Sequence, residues 1–365
     1  MNEPAMPNAS VAAELSSIVL EQADRLFRGI VTSERMADAD RCLWPAQIWN
    51  AVEQAGLPLA LVSEAHGGVG LPAVDALRVI RRSAYYTLPV PLAETMLAQM
   101  LWTQAGGEPL QGCVSLAPVR SDESIRIQRS ARGCTVSGSA RRVPWGGQAD
   151  HVLLCTQDES DAGWLALLPR GSAALESFRN IANEPRDTLV LDAVALNDSN
   201  VRRAPTLERD ALLTLGAAVR AQQMVGAMER CIDYAVSYAT ERQQFGRAIG
   251  KFQAIQHMLA DAAGQYAAGA AAADLAAAAF ATPEFSFAAA IAKSRVGEAA
   301  GNVAAICHQV HGAMGFTHEH PLHFATRRLW SWRDEFGSET YWQTRIGQLI
   351  CARGADALWA TLVGE

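Results

Sequence analysis

The sequence contains no pair of cysteines that would suggest a metal site or a redox site. Its seven cysteines are scattered over 365 residues, and no two of them form a C-x-x-C motif. An odd number of cysteines, mostly in apolar surroundings, is typical of buried free thiols in a reducing compartment. A structural zinc site and a catalytic dithiol are therefore not expected.

An excess of positive charge, a secretory signal and a long apolar run are also lacking. The formal net charge of −7 argues against a nucleic-acid partner, because binding a phosphate backbone requires a basic surface. The first ten residues have neither the basic nor the apolar stretch of a signal peptide. The alanine-rich run 267–281 is interrupted by Asp274, which favours a packed helix over a membrane span. We therefore expect a cytoplasmic protein without a membrane segment.

The sequence does contain three successive hydrophobic patterns. Hydrophobic residues at 50% and charged residues at 19% are typical of a globular protein. Apolar positions recur at helical spacing in residues 1–112 and again in residues 205–365, whereas residues 113–204 contain short alternating or β-branched runs. This order predicts an α+β multidomain protein: an N-terminal helical domain, a middle β-barrel or β-sandwich domain and a C-terminal four-helix bundle.

The helical spacing and the alternating pattern also predict where the individual helices and strands lie. Helices are predicted at 11–27, 44–55, 74–85, 92–105, 206–241, 252–281, 284–313 and 338–361. Strands are predicted at 113–116, 125–128, 134–137, 152–155, 164–168 and 188–195.

The stretch 239–256 lies where one long helical pattern stops and the next begins. Gly246 and Gly250 supply the permissive backbone that a corner between two helices needs. Cationic and amide donors crowd the same corner: Arg242, Arg247, Lys251, Gln253 and Gln256. Such donors at a glycine corner suggest a cradle for an anion or a phosphate, and the alternative is a solvated turn between helices.

Two motifs carry a resemblance to a known family. From Arg242 the chain reads R-x-x-F-G-x-x-I-G-x-F-Q-x-I-Q, and from Gln309 it reads Q-V-H-G-A-M-G-F. Both blocks, in this order and separation, resemble the acyl-CoA dehydrogenase family. Shortened members of that family form heteromeric dehydrogenases with a catalytic sister chain, several of them in steroid or bile-acid side-chain breakdown, and this chain is similar to them.

The resemblance implies a fold, an activity and partners. The family has an α domain, a β domain and a helical bundle, and it binds FAD between subunits of an oligomer. A carboxylate removes the α-proton of an acyl-CoA thioester while the β-hydrogen leaves as hydride to the flavin. An electron-transferring flavoprotein is the expected electron acceptor.

The resemblance also assigns cofactor residues one by one. Arg242, Phe245 and Gln253 occupy positions that hold the pyrophosphate and adenine side of FAD. Gln309, Gly312 and Ala313 match the contribution of the neighbouring subunit, and Ala313 replaces a glycine of the family pattern. Gly337 and Ser338 match the glycine and threonine that touch the adenosine part.

Both customary positions of the catalytic base lack a carboxylate. The family's Y-E-G is Glu335-Phe336-Gly337 here, and the alternative base position of some members is Gly216. Phenylalanine and glycine cannot accept a proton. Glu335 or Asp334 could serve instead, or a partner chain could supply the base. The alternative is that Asp334, Glu335 and Glu339 form a solvated acidic turn paired with Arg327, Arg328 or Arg333.

Two motifs that line the flavin in this family are poorly kept here, and a cluster of histidines lacks the spacing of metal ligands. The family's T-E-P-x-x-G-S-D motif is only partly kept in residues 116–122, which read L-A-P-V-R-S-D. Residues 143–146, V-P-W-G, keep the tryptophan of the family's tryptophan–x–threonine motif but not its threonine. His318, Glu319, His320 and His323 do not form an H-E-x-x-H motif, so no metal is predicted.

Three hypotheses follow for the function. The first is an FAD-dependent acyl-CoA dehydrogenase that carries out α,β-dehydrogenation as a homo-oligomer or as one chain of a heteromer. The second is a non-catalytic subunit that completes the FAD or acyl-CoA site of a sister chain. The third is a helical scaffold without a cofactor, which would have no need for Arg242, Phe245, Gln253, Gln309 and Gly312 together.

Overall fold

The computed structural model describes residues 9–130, 133–208 and 210–363. The chain forms two compact units, residues 1–209 and residues 210–365. Helices followed by a β-sheet make up the first unit, and helices make up the second. The expected order of α, β and α segments is confirmed, while the bounds of the three predicted domains stay a prediction. The expected lack of a signal peptide concerns a stretch of which residues 1–8 lie outside the described ranges.

The helices of the first unit bury one apolar face each or are buried all round. They are α1 (Ala9–Ile30), α2 (Ser33–Asp40), α3 (Ala46–Gln54), α4 (Ala73–Tyr85) and α5 (Leu92–Gln104). The Nε atom of Arg82 donates to Asp24 at 2.8 Å and ties α4 to α1. The sequence missed α2 because this short helix is mostly polar; a hydroxyl of Thr32 caps it by accepting the Arg35 N–H.

A mixed sheet completes the first unit. Its strands are β1 (Val114–Ala117), β2 (Ile125–Ser130), β3 (Gly133–Pro144), β4 (His151–Gln157), β5 (Gly163–Pro169), β6 (Ala174–Glu176), β7 (Arg186–Leu196) and β8 (Val201–Arg203). The strand order is β6-β7-β3-β2-β4-β5-β8, and β1 pairs in parallel with β4. All the strand predictions are confirmed. The sequence missed β6 and β8 because three residues are too few to show an alternating pattern.

The second unit is helical apart from one small hairpin. Its elements are α6 (Ala211–Glu241), β9 (Gln243–Gln244), β10 (Arg247–Ala248), α7 (Gln253–Ala278), α8 (Phe285–His311), α9 (Leu322–Asp334), α10 (Glu339–Arg353) and α11 (Leu358–Val363). The predicted helix over 338–361 was wrong in its length, because Gly354 has a φ of +83° and ends α10. The sequence missed α9, a helix rich in arginine and aromatic residues. None of the helices in the described ranges combines the length and apolarity needed to cross a bilayer.

The glycines inside the helices of the second unit differ in the space around them. A β-carbon built on Gly264 would have open space around it, whereas one built on Gly216 of α6 would collide with another side chain. A glycine inside a helix costs up to about 1 kcal/mol relative to alanine when nothing opposes the methyl group.

We therefore expect Gly264→Ala to raise the free energy of unfolding by up to about 1 kcal/mol. Urea denaturation monitored by circular dichroism would measure the change. The matched replacement Gly297→Ala on α8 should instead destabilise, because its β-carbon would lie 2.4 Å from Oε1 of Glu339. Equal effects of the two replacements would contradict the described packing.

Candidate functional site

A tight hairpin after α6 presents the first of the assigned residues. Strands β9 and β10 pair antiparallel, with Gln244 opposite Arg247. The two residues of the turn, Phe245 and Gly246, have φ values of +51° and +78°, as in the turns that favour asparagine and glycine. A phenylalanine rarely adopts such a φ. The hairpin nevertheless holds the Phe245 side chain outward, with the residue 92% exposed.

The hairpin is surrounded by cations that have no acidic partner. Arg242, Arg247 and Lys251 are exposed. Among the described residues, no carboxylate lies within ion-pair distance of any of the three. The Arg247 guanidinium instead lies 4.2 Å from the ring centroid of Phe252. Cations without carboxylates are available to an anionic ligand.

The amino terminus of α7 adds backbone donors to this surface. The helix begins at Gln253, its N-cap residue is Phe252, and no side chain caps it. Its first turn contains no acidic residue. The first N–H groups of a helix have no partner within the helix, and with the helix dipole they favour an anion. The predicted phosphate cradle therefore has the donors it needs, built on a hairpin and not on a simple corner.

The second group of assigned residues lies where α8 ends. Gln309, Gly312 and Ala313 are exposed. Gly312 has a φ of +58° and a ψ of −140°, a conformation that only glycine adopts readily. A β-carbon built on it would meet nothing within 4 Å. The backbone is thus open to close approach by a ligand.

Contacts between helix ends bring these two groups together. The ring of Tyr238, near the end of α6, stacks on His311 at a centroid distance of 4.7 Å. The carbonyl oxygen of Tyr238 accepts the Arg242 N–H at 2.8 Å. The end of α6, the hairpin and the end of α8 therefore share one end of the second unit. We call this surface the donor end: Arg242, Phe245, Gln253, Gln309, Gly312 and Ala313.

Gly337 and Ser338 are far from the donor end. The carbonyl oxygen of Gly337 accepts a hydrogen bond from Nζ of Lys293 at 2.7 Å. Lys293 precedes His311 by five turns of α8, which is about 27 Å along the helix axis. The sequence interpretation separated Gln309, Gly312 and Ala313 from Arg242, Phe245 and Gln253. In this chain those six residues lie at one end of the second unit and Gly337 and Ser338 lie apart, while their assignment to FAD and to particular subunits stays a prediction.

The two customary base positions are in contact with each other. A β-carbon built on Gly216 would lie 2.0 Å from Cδ1 of Phe336. Phe336 is 4% exposed, and its carbonyl oxygen accepts the indole N–H of Trp342 at 2.9 Å. The phenyl ring thus fills the space beside α6, and the absence of a side chain at Gly216 is what allows it.

Glu335, the proposed local base, is engaged in a buried ion pair. Its Oε2 accepts a hydrogen bond from Nε of Arg220 at 2.8 Å, and the two side chains are 9% and 1% exposed. The Arg220 guanidinium also lies 5.3 Å from the ring centroid of Phe336. A carboxylate held in this way lacks the free reach toward a substrate proton that a general base needs. The geometry therefore disfavours Glu335 as the base.

The rest of the predicted acidic turn is partly as expected. Glu339 pairs with Arg333, with Nε and Oε1 2.6 Å apart, which confirms that member of the expected set of ion pairs. Glu335 pairs with Arg220 on α6, a partner outside the set that the alternative proposed. Asp334, the other candidate base, is exposed and ends α9. No motif in the sequence indicated Arg220, because this residue lies inside an otherwise ordinary helical pattern.

Replacing Glu335 by glutamine should reveal this ion pair. Arg220 would remain buried beside a neutral amide, and removing one partner of a buried pair costs about 3–5 kcal/mol, somewhat less where a hydrogen bond is kept. We expect Glu335→Gln to lower the free energy of unfolding by about 2–4 kcal/mol. Urea denaturation would measure the loss. The control Glu298→Gln, at an exposed ion pair with Arg295, should change stability by less than about 0.5 kcal/mol.

The flavin-lining motifs of the first unit also have internal partners. Trp145 is 5% exposed, and the guanidinium of Arg186 lies 4.8 Å from its ring centroid. Arg186 forms a buried ion pair with Glu184 at 2.8 Å. The partly kept motif at 116–122 also contains an internal contact, because Nε of Arg120 donates to Oδ1 of Asp122 at 2.9 Å. A tryptophan covered in this way is not open to a flavin ring.

Histidines gather beside the donor end. The rings of His311 and His320 lie 4.4 Å apart. Burial, together with His311 and the other neighbouring histidines, lowers the pKa of His320 to about 4, so this ring is neutral at neutral pH. Within the described ranges, no group of three or more histidine, cysteine, aspartate or glutamate side chains is arranged to hold a metal ion.

Comparison with known proteins decides the family. A model of the acyl-CoA dehydrogenase C-terminal domain matches residues 210–340. Over 284 residues the chain is 28% identical to the acyl-CoA dehydrogenase IpdE2 of Mycolicibacterium smegmatis, which covers 77% of this chain and 80% of that protein. Residues 210–340 therefore belong to the acyl-CoA dehydrogenase family, and most of the chain is similar to acyl-CoA dehydrogenases.

Solved structures share the fold of this chain. A chain of the ChsE4-ChsE5 complex from Mycobacterium tuberculosis is 22% identical, with a TM-score of 0.81 over 95% of this chain and 98% of that one. Butyryl-CoA dehydrogenase from Megasphaera elsdenii is 19% identical, with a TM-score of 0.82 over 96% and 99%. The predicted fold class is thereby confirmed.

Proposed function

We propose that this chain is one subunit of a heteromeric, FAD-dependent acyl-CoA dehydrogenase. It completes the flavin site of a sister chain, and the sister chain carries the base that removes the α-proton of the acyl-CoA thioester. The observation that carries the proposal is the packing of Phe336 on Gly216, which fills both customary base positions at once.

The donor end fits the diphosphate and adenosine part of FAD. Arg242, Arg247 and Lys251 offer charge that carboxylates do not neutralise in the described structure. A guanidinium presents parallel N–H groups that match phosphate oxygens, and the uncapped start of α7 adds backbone donors. Phe245 offers an exposed ring for packing, and Gly312 offers an open backbone. When bound, FAD supplies the redox chemistry, and the residues of this chain hold its anionic part in place.

The positions of the assigned residues favour a site shared between two chains. The donor end and Gly337 lie about 27 Å apart along α8. If both contact FAD as the resemblance implies, each contacts a different FAD molecule, and the remainder of each site belongs to another chain. In this chain the donor end is exposed and unpartnered by carboxylates, whereas Trp145 and Phe336 are buried in internal contacts. We therefore propose that this chain contributes the donor end to a flavin site, and that the sister chain contributes the rest of that site.

The relatives support a heteromer. The structure with a TM-score of 0.81 is a complex of two different chains, ChsE4 and ChsE5. IpdE2, the relative that is 28% identical, is an acyl-CoA dehydrogenase. We propose the same class of substrate for the heteromer, an acyl-CoA thioester, and an electron-transferring flavoprotein as its electron acceptor.

The visible absorption spectrum tests the proposal. The chain would be purified alone and, from its native host, together with the acyl-CoA dehydrogenase chain that co-purifies with it. Both samples would be recorded without oxygen, before and after addition of a mixture of acyl-CoA thioesters. We expect bleaching of the flavin only in the complex. A yellow chain that bleaches when alone would overturn the proposal and return the first hypothesis, a self-sufficient dehydrogenase.

A further inference from the structure

Lysine is rare in this chain, and one of its two lysines is completely buried. The sequence contains only Lys251, which is exposed, and Lys293, which is 0% exposed. Nζ of Lys293 donates to the carbonyl oxygen of Arg333 at 2.5 Å and to that of Gly337 at 2.7 Å. A buried amine must use its donors, because an unsatisfied polar group in the interior is costly. Its two acceptors are the two ends of the turn that joins α9 to α10.

Glycines on the same face of α8 receive the side chains that flank this turn. Gly297 and Gly301 follow Lys293 by one and two helical turns. A β-carbon on Gly297 would lie 2.4 Å from Oε1 of Glu339, and one on Gly301 would lie 2.8 Å from Nη1 of Arg333. Glu339 and Arg333 pair with each other at 2.6 Å. The ion pair thus spans the turn and packs against the face of α8 where Gly297 and Gly301 leave room for it.

We propose that Lys293 is the positioning residue of the turn 334–338, and that with Gly297 and Gly301 it forms a socket on α8 that fixes where Phe336, Gly337 and Ser338 lie. The amine ties the carbonyl of Arg333 to that of Gly337, so that the turn can neither unwind from α9 nor separate from α10 without breaking a buried hydrogen bond. Phe336 then lies against Gly216.

Charge around the amine makes the socket respond to pH. Burial lowers the pKa of Lys293 to about 7, although the nearby carboxylates of Glu339 and Glu335 oppose that shift. Asp334 also faces the amine and favours its charged form, whereas Arg220 disfavours it. A neutral amine has two N–H groups, and the socket offers two carbonyl oxygens. The neutral form therefore satisfies the socket.

The direction of the pH effect follows from the proton count. In the open turn the amine has its ordinary pKa near 10.4, and in the closed turn its pKa is about 7. Between these values the open form binds more protons, so closing becomes more favourable as the pH rises. Protection of the turn against hydrogen exchange should increase by up to about tenfold per pH unit above pH 7, and should level off below it.

Hydrogen exchange followed by mass spectrometry on the purified full chain tests the inference. Exchange rates corrected for the intrinsic effect of pH would be compared at pH 7.0, 8.0 and 9.0 for peptides that contain residues 334–338. At pH 8 the protection factor of these peptides in Lys293→Met should be at least about tenfold lower than in the wild-type chain, and it should not depend on pH. Lys293→Arg restores charged donors that do not titrate, so it should recover part of the protection while staying independent of pH.

A second measurement keeps the inference testable if Lys293→Met does not fold. With lysine labelled by carbon-13 at Cε, the wild-type chain should give two resonances. The resonance of Lys293 should titrate near pH 7, well below the ordinary range of a lysine side chain.

The outcomes separate this inference from the proposed function. Unchanged protection of the turn in a folded Lys293→Met chain would overturn the positioning role, as would a Lys293 amine with the ordinary lysine pKa near 10.4. Neither measurement needs FAD, a thioester or a partner chain, so either result leaves the heteromer proposal untouched.

Discussion

Replacing Phe336 by alanine is expected to destabilise the protein by about 3–5 kcal/mol. The ring is 4% exposed and lies directly on the backbone of α6 at Gly216. Removing it would leave a cavity between a rigid helix and a turn that Lys293 and Trp342 hold in place. Because neither side can collapse readily, the cavity term should be near the upper end of its range. Urea denaturation of the chain would measure the change.

A second replacement on the other side of the contact makes this prediction specific. In the wild-type chain, Gly216→Ala should destabilise by about 1–3 kcal/mol, because its methyl group would overlap the Phe336 ring. In the Phe336→Ala background the ring is gone, and the same replacement should stabilise by up to about 1 kcal/mol through helix propensity. The effect of Gly216→Ala thus reverses its sign, and the double-mutant cycle gives the coupling between the two residues.

Additive effects of the two replacements would show that the residues do not touch. The proposed function would then lose its main support, since Gly216 would be free to face a substrate. The matched helix glycine, Gly264, has open space around its α-carbon. Gly264→Ala should therefore give the same small stabilisation with and without Phe336, which controls for helix propensity alone.

Periodic patterns explain why most elements of the fold could be predicted. Helix α4 buries one face, and strand β2 alternates buried and exposed residues from Ile125 to Gln128. Both arrangements leave a period in the sequence. Helix α9 was not recognised, because arginines and tryptophans interrupt its apolar positions. One of these arginines pairs with another element, since Nε of Arg333 lies 2.6 Å from Oε1 of Glu339 on α10.

The candidate site could be predicted in its residue types but not in its arrangement. The resemblance assigned Arg242 and Gln309 to FAD, but a motif carries no information on which assigned residues lie together. That depends on the stacking of Tyr238 on His311 at the ends of two helices. In the same way, the residue types alone show that Gly216 and Phe336 cannot act as bases. Only the structure shows that the Phe336 ring fills the space beside Gly216.

Loss of flavin from the complex is the expected result of replacing Arg242 by alanine. The guanidinium is exposed, has no carboxylate partner in the described residues and stands beside the uncapped start of α7. A charge-assisted, bidentate contact with a diphosphate contributes about 2–3 kcal/mol, so the affinity for FAD should fall by roughly 30- to 150-fold. Titration of the flavin-free complex with FAD, followed by flavin fluorescence at fixed salt concentration, would measure the loss.

Two controls determine whether that loss belongs to the cradle. Arg25→Ala removes an exposed positive charge from α1, outside the donor end, and should leave the affinity unchanged. Phe245→Asn should weaken FAD binding while stabilising the hairpin, since asparagine tolerates a φ of +51° better than phenylalanine does. Unchanged FAD affinity in both Arg242→Ala and Phe245→Asn would remove the donor end from the flavin site. The sister chain would then have to bind its FAD without this subunit, and an exposed phenylalanine held at a strained φ beside unpaired cations would need a different ligand.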